Sequence, residues 1–274
     1  MKLETQKEVE LSLKDAIESQ AKKLALDFSG SYEGIIPDSI GDISSLDELT
    51  IYNSSLRPHP LKEIPVSIGK LSNLKTLRLY DFGFGLEYLP ESIGELVNLE
   101  VLQIADCPKL RELPNTIGQL KNLREIKLYS PMRCLKSFEK LPDSIGQLVS
   151  LAALIVENTI IQSLPDTLGK LRNLIDLEIT DNSRLHQLPE SIGELHNLRF
   201  LSARRNQLTS LPARITRLTQ LESLELDDNQ LSNLPEDIGK LSGLKQDISF
   251  YGNPIAYLPN SILQLPVNVL SDLS

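Results

Sequence analysis

Hydrophobic positions along this chain follow two alternating rhythms. Segments such as Leu221-x-x-Leu224-x-Leu226 place apolar residues at every second position, the pattern of a short strand with one buried face. Segments such as Ser92-Ile93-Gly94-x-Leu96-x-x-Leu99 are spaced for a helix-like return. The pair recurs along nearly the whole chain. A proline marks each copy, at Pro37, Pro65, Pro90, Pro114, Pro142, Pro165, Pro189, Pro212, Pro235 and Pro259, with intervals of 23 to 28 residues. A unit of that length cannot bury its own apolar face, so neighbouring copies must stack. Stacking one strand per coil gives parallel pairing, and the return supplies the crossover that parallel strands require. Proline suits the first turn of the return, where its missing N–H costs nothing.

The unit resembles the leucine-rich repeat, L-x-x-L-x-L-x-x-N-x-L. Leu198, Leu201, Ala203, Asn206 and Leu208 carry it, as do Leu221, Leu224, Leu226, Asn229 and Leu231. The L-P-x-S-I-G-x-L-x-N-L half is similar to plant intracellular Ras-group-related proteins, animal Ras-scaffold and Scribble-type proteins, and repeat domains of bacterial effectors. The resemblance covers roughly residues 21 to 265. It implies an α/β fold: a leucine-rich-repeat solenoid (horseshoe) with a parallel sheet on the concave face and an N-terminal capping helix. The expected division is a cap over 1–23, repeats over 24–258 and a truncated closing coil over 259–274.

Both ends of a solenoid need a lid. Thr5-Gln6-Lys7-Glu8 reads as a capping box, followed at helical spacing by Val9, Leu13, Ala16, Ile17, Ala21 and Leu24. This predicts an amphipathic helix over about residues 6–20. The asparagines Asn182, Asn206, Asn229 and Asn253 stand where a side chain can bond backbone groups at the turn after each strand. Ser54, Phe82, Cys107, Pro131 and Thr159 hold the equivalent place in earlier coils, which makes Cys107 an interior residue.

Composition narrows the function. Leucine supplies 53 of 274 residues and tryptophan is absent, as expected of one packing unit used many times. The net charge of −9 argues against a nucleic-acid partner and against an anionic membrane surface. No apolar run reaches the ~18 residues of a membrane span, and the charged start lacks a secretory signal. Two cysteines make no disulfide framework, so a reducing, cytoplasmic setting is expected. The effector resemblance adds an alternative, delivery into a host cell without a cleavable signal.

Catalytic chemistry finds no foothold. His59, His186 and His196 lie in separate coils without metal-ligand spacing. No phosphate loop or nucleophile elbow occurs, and Asp81-Phe82-Gly83 lacks every other kinase element. Cys134 lies in an added loop with no activating neighbour. We therefore expect no enzyme, no cofactor and no metal.

Strand pairing turns the outward positions into ladders ~4.8 Å apart per step. One ladder reads Asp27, Tyr52, Tyr80, Ala105, Tyr129, Glu157, Thr180, Arg204, Asp227 and, past a one-residue insertion, Tyr251. The next reads Ala25, Thr50, Arg78, Gln103, Lys127, Ile155, Glu178, Ser202, Glu225 and Ser249. Three of the seven tyrosines fall within four coils, beside Arg78 and Lys127. Tyrosine suits strands, but it is also favoured at binding hot spots. Longer intervals follow the same coils and add His59, Phe84, Met132 and Arg133 to one rim. The expected partner site is thus Tyr52, Tyr80, Tyr129, Arg78, Lys127, His59, Phe84, Met132 and Arg133. The second half is acidic, with Glu157, Asp176, Glu178, Asp181, Glu225, Asp227 and Asp228 broken only by Arg204 and Arg205. It suits a protein partner of basic or mixed charge, bound by a monomer. The effector resemblance implies a second role, recognising a substrate for a ubiquitin ligase or binding a host target.

Overall fold

A computed structural model of the chain describes residues 5–28, 36–53, 63–80, 85–130, 137–245 and 248–265. The chain falls into two compact units, Met1–Phe138 and Glu139–Ser274. The first holds helix α1 (Gln6–Glu18) and strands β1 (Lys23–Asp27), β2 (Glu48–Tyr52), β3 (Thr76–Tyr80), β4 (Val101–Ala105) and β5 (Glu125–Tyr129). Each strand pairs with the next, parallel and in register. The second holds β6 (Ala153–Val156), β7 (Asp176–Glu178), β8 (Phe200–Ser202), β9 (Ser223–Glu225) and β10 (Ile248–Ser249), paired the same way. Ile248 pairs with Leu224 and Ser249 with Glu225, so the one-residue insertion before β10 is real.

The alternation decides what is buried. In β3 the side chains of Leu77 and Leu79 are fully enclosed, while Thr76, Arg78 and Tyr80 are half-exposed on the strand face. Each return is a 3-10 turn of three to five residues, shorter and tighter than a helix. The proline stands one step earlier than the first turn. At φ −65° and ψ 148°, Pro65 is extended, and its carbonyl accepts the Ile68 N–H at 3.0 Å to close the turn. Coils pack closely here: a Cβ on Gly69 would stand 2.7 Å from the Ser92 carbonyl oxygen. Only glycine admits the next coil at that distance.

Helix α1 has the expected capping box: Thr5 Oγ1 accepts the Glu8 N–H at 3.3 Å, and Glu8 Oε2 accepts the Thr5 N–H at 2.9 Å. Val9, Leu13 and Ala16 are buried. The predicted stripe overran the helix at its far end. Ile17 is 38% exposed, and Leu24 belongs to β1. The chain leaves the helix through Gln20 at φ 52°, so helical spacing beyond it has no face to define.

The buried asparagine column does what its position suggested. Asn206 Oδ1 accepts the Asn182 N–H at 2.9 Å, and its Nδ2 donates to the carbonyls of Ile179 and Ala203 at 2.7 Å each. Asn229 takes the Leu208 N–H, and Asn253 takes the Leu231 N–H. Thr159 and Cys107 occupy the same place in earlier coils and are buried. Ser54, Phe82 and Pro131 lie outside the described residues.

Candidate functional site

In the first unit the half-exposed positions form three rows across the strand face. Register sets Tyr52 beside Tyr80, then Ala105, then Tyr129. The middle row runs Thr50, Arg78, Gln103, Lys127, and the far row Glu48, Thr76, Val101, Glu125. Five of the predicted site residues, Tyr52, Tyr80, Tyr129, Arg78 and Lys127, therefore share one surface. His59, Phe84, Met132 and Arg133 lie outside the described residues, as does Cys134.

The rows are wired together. Tyr80 donates its hydroxyl to Gln103 Oε1 at 2.6 Å, and Arg78 Nε donates to the same oxygen at 3.2 Å. Gln103 Nε2 donates to Glu125 Oε1 at 2.8 Å, and Lys127 Nζ stands 3.4 Å from that carboxylate. At the other side, Arg78 lies 3.7 Å from Glu48, which also holds Lys23 at 2.7 Å. The Lys23 hydrogen bond is the main cause that keeps the Glu48 carboxyl below its ordinary range. Burial pushes the Tyr80 hydroxyl up, and Tyr129, across the small Ala105, adds to the push. Arg78 and Lys127, both expected in the partner site, thus each meet a carboxylate within the face. Of the three rings, Tyr80 is held by its hydroxyl bond to Gln103. Among the described residues no group of three or more His, Cys, Asp or Glu could hold a metal ion, and no helix is long and apolar enough to cross a membrane.

In the second unit the acidic ladder is partly met by its two arginines. Arg205 grips Asp181 with two bonds, at 2.6 and 2.7 Å. Arg204 lies 3.7 Å from Glu225 and 3.3 Å from Asp227. Asp227 is buried and also accepts from the Ser249 hydroxyl at 2.8 Å and the Tyr251 N–H at 2.9 Å. His186 and His196 are on the surface, the latter 3.8 Å from Glu194.

Two recurring features escaped sequence reasoning. The residue before the buried asparagine column is left-handed in coil after coil: Asp106, Asn158, Asp181, Arg205, Asp228 and Gly252 have φ between 53° and 72°. The excess of Asp, Asn and Gly there was the available signal. A second asparagine column, in the L-x-N-L part of the return, ties a coil to its predecessor at Asn73, Asn98, Asn122, Asn173 and Asn197, as when Asn98 Nδ2 donates to the Ser72 carbonyl at 2.8 Å.

Comparison with known proteins agrees with this geometry. Residues 54–138 match a family profile described as a leucine-rich repeat region, and residues 196–260 match one of paired leucine-rich repeats. No curated protein matches the sequence. Among solved structures, the leucine-rich repeat domain of the type III effector XopL is 26% identical; the match covers 96% of this chain and 79% of that one, with a TM-score of 0.62. A leucine-rich-repeat protein of Leptospira interrogans is 25% identical over 89% of this chain and 94% of its own, with a TM-score of 0.31. Parallel strands in every described coil, a shared leucine spacing and two independent family matches identify the chain as a leucine-rich-repeat protein.

Proposed function

We propose that the chain is a non-enzymatic protein-interaction scaffold whose strand face in the first unit grips a partner protein. The observation that carries this reading is the tyrosine row: Tyr52, Tyr80 and Tyr129 stand in one register line, backed by the Arg78–Gln103–Glu125–Lys127 chain of polar contacts. Tyrosine offers rigid apolar area with a polar end, and ordering Tyr80 on binding costs little because Gln103 already holds its hydroxyl. The rim residues His59, Phe84, Met132 and Arg133 would extend the contact. The acidic second unit favours a partner of basic or mixed charge, approached by a monomeric chain; nucleic acid and membrane are disfavoured by the same charge. The partner is to be captured from the native host by crosslinking, and its affinity compared for the wild type and the Tyr52→Ala/Tyr80→Ala/Tyr129→Ala variant. At least a tenfold loss with the fold intact is expected. Unchanged affinity removes the patch.

A second reading takes its support from the effector match. There the chain recognises a host target on behalf of a bacterial effector delivered into the host cell, as part of a larger protein or alone. Capture of a host protein, together with a ubiquitin-transfer assay on the full-length gene product, separates this reading from a cytoplasmic scaffold.

A further inference from the structure

A cleft of about 900 Å³ opens in the second unit beside the last strand, and the tyrosine patch does not use it. Its floor is Asp227, whose oxygens are taken by Ser249, Tyr251 and Arg204. Its walls are different. Tyr251 is 84% exposed and Tyr257 is 63% exposed, two large rings that the fold itself does not bury. At its lip stands Asp228, exposed and in the left-handed turn at φ 55°. Asp228 Oδ1 lies against Gly252, in the space where any larger residue would put its Cβ. Among the described residues Asp228 forms no ion pair, in contrast to its paired neighbours Asp227 and Asp181.

We infer that this cleft receives an arginine or lysine side chain from a basic segment of a partner polypeptide, held between the Tyr251 and Tyr257 rings and the Asp228 carboxylate. The inference rests on the reading of the chain as a protein-binding module and adds a second contact point, with its chemistry. The parts fit a cation in three ways. Exposed phenol rings attract a cation over their faces. A carboxylate that feels Arg205 only through space, while Arg205 itself bonds Asp181, gains a charge-assisted hydrogen bond. Asp227 beneath is already met by Ser249, Tyr251 and Arg204, so it shapes the floor without competing for the guest, and the half-exposed Arg204 is turned to Asp227 and Glu225. Charge also decides the occupant. An anionic guest would meet Asp228 and a chain of net charge −9.

The test uses the full chain and an array of pentapeptides with a fixed central arginine, lysine or citrulline. Citrulline keeps the shape of arginine and removes its charge. Wild type should retain arginine and lysine peptides and pass over their citrulline counterparts. The best arginine peptide is then titrated by calorimetry. Asp228→Asn and Tyr251→Ala/Tyr257→Ala should each weaken it at least tenfold, whereas Asp166→Asn, on an exposed return in the same unit, should not. All these positions are exposed, and asparagine tolerates the left-handed turn, so the fold is expected to survive. Three results overturn the inference: no retained cationic peptide, equal binding of citrulline peptides, or wild-type affinity in Asp228→Asn. Self-association abolished by Tyr251→Ala/Tyr257→Ala also overturns it, by making the cleft an interface between copies. The Tyr52/Tyr80/Tyr129 variant should bind the arginine peptide like wild type, so failure at either surface is read separately from the other.

Discussion

Replacing Asn206 by alanine removes three hydrogen bonds from a side chain that is 1% exposed. The Ala203 carbonyl keeps a partner, because Asn229 Nδ2 also donates to it at 2.8 Å. The Asn182 N–H and the Ile179 carbonyl do not share that insurance. A buried polar group left without a partner costs about 1–3 kcal/mol, so two of them amount to roughly 2–6 kcal/mol. We expect a loss near 3–4 kcal/mol, and a melting temperature lower by about 6–16 °C at the 2–4 °C per kcal/mol usual for a domain of this size. The control is Asn197→Ala. Asn197 belongs to the exposed second column and donates once, to the Arg172 carbonyl at 2.7 Å, with water at hand to replace it. Its loss should cost no more than about 1 kcal/mol. Urea unfolding followed by circular dichroism gives both values. Amide exchange adds a spatial check: each coil leans on its neighbours, so protection in Asn206→Ala should fall first in the coils around Asn182 and Asn229. If Asn206→Ala costs under 1 kcal/mol, or no more than Asn197→Ala, the buried column is not what secures the turns.

Four further outcomes follow from the packing and the charges. Gly69→Ala drives a methyl against the Ser92 carbonyl and should cost about 1–3 kcal/mol by the usual penalty of overpacking, measured by urea unfolding. Ser92→Thr should stabilise by about 0.5–1 kcal/mol in the same measurement: the Ser92 hydroxyl is buried without a hydrogen bond, whereas Thr116, at the same place one coil on, donates to the Glu91 carbonyl at 2.6 Å. Glu222 is held below the ordinary glutamate range, first by the Lys245 hydrogen bond and then by that of Arg199. Its contribution is therefore present above the unfolded value of about 4.3 and is lost as pH falls through the lower folded value, so Glu222→Gln should flatten the acid limb of the stability curve. Tyr80 has the opposite sign: its raised folded value means stability is lost as pH climbs above the unfolded tyrosine value of about 10, and Tyr129→Phe should bring its ionisation, followed at 295 nm, to lower pH.

Register was legible in the sequence because it is over-determined. A one-residue slip in β3 would turn Leu77 and Leu79 out to water and Arg78 and Tyr80 into the core, and the same penalty repeats in every coil. That is why the Tyr52–Tyr80–Ala105–Tyr129 row could be written from spacing alone, and why the insertion before β10 showed as a one-residue offset. The partners chosen by long side chains were not legible. Arg78 neighbours Thr50 and Gln103 in its own row, but it bonds Gln103 and reaches diagonally to Glu48; spacing fixes the first relation and leaves the second to rotamers and competing acids. The returns are the short, helix-like crossovers that the spacing suggested, in their tightest form. Ser-Ile-Gly-x-Leu fits a helical period, yet with coils this short the chain closes i to i+3 and turns back before an α-helical bond can form.

That difference between rows and pairings bears on how the surface works. Salt bridges this exposed contribute little to stability, so the Lys23–Glu48–Arg78 and Glu125–Lys127 contacts are poor explanations of the fold. Their effect falls on the ring they flank: Gln103, fixed between Arg78 and Glu125, fixes Tyr80 through its hydroxyl. Gln103→Ala should therefore leave unfolding within about 0.5 kcal/mol, as surface substitutions usually do. It should nevertheless weaken the captured partner, by raising the cost of ordering Tyr80 on binding. NMR relaxation of the Tyr80 ring, compared with partner affinity, tests this directly. A variant with a freed ring and undiminished affinity would show that the polar chain along the face has no part in recognition.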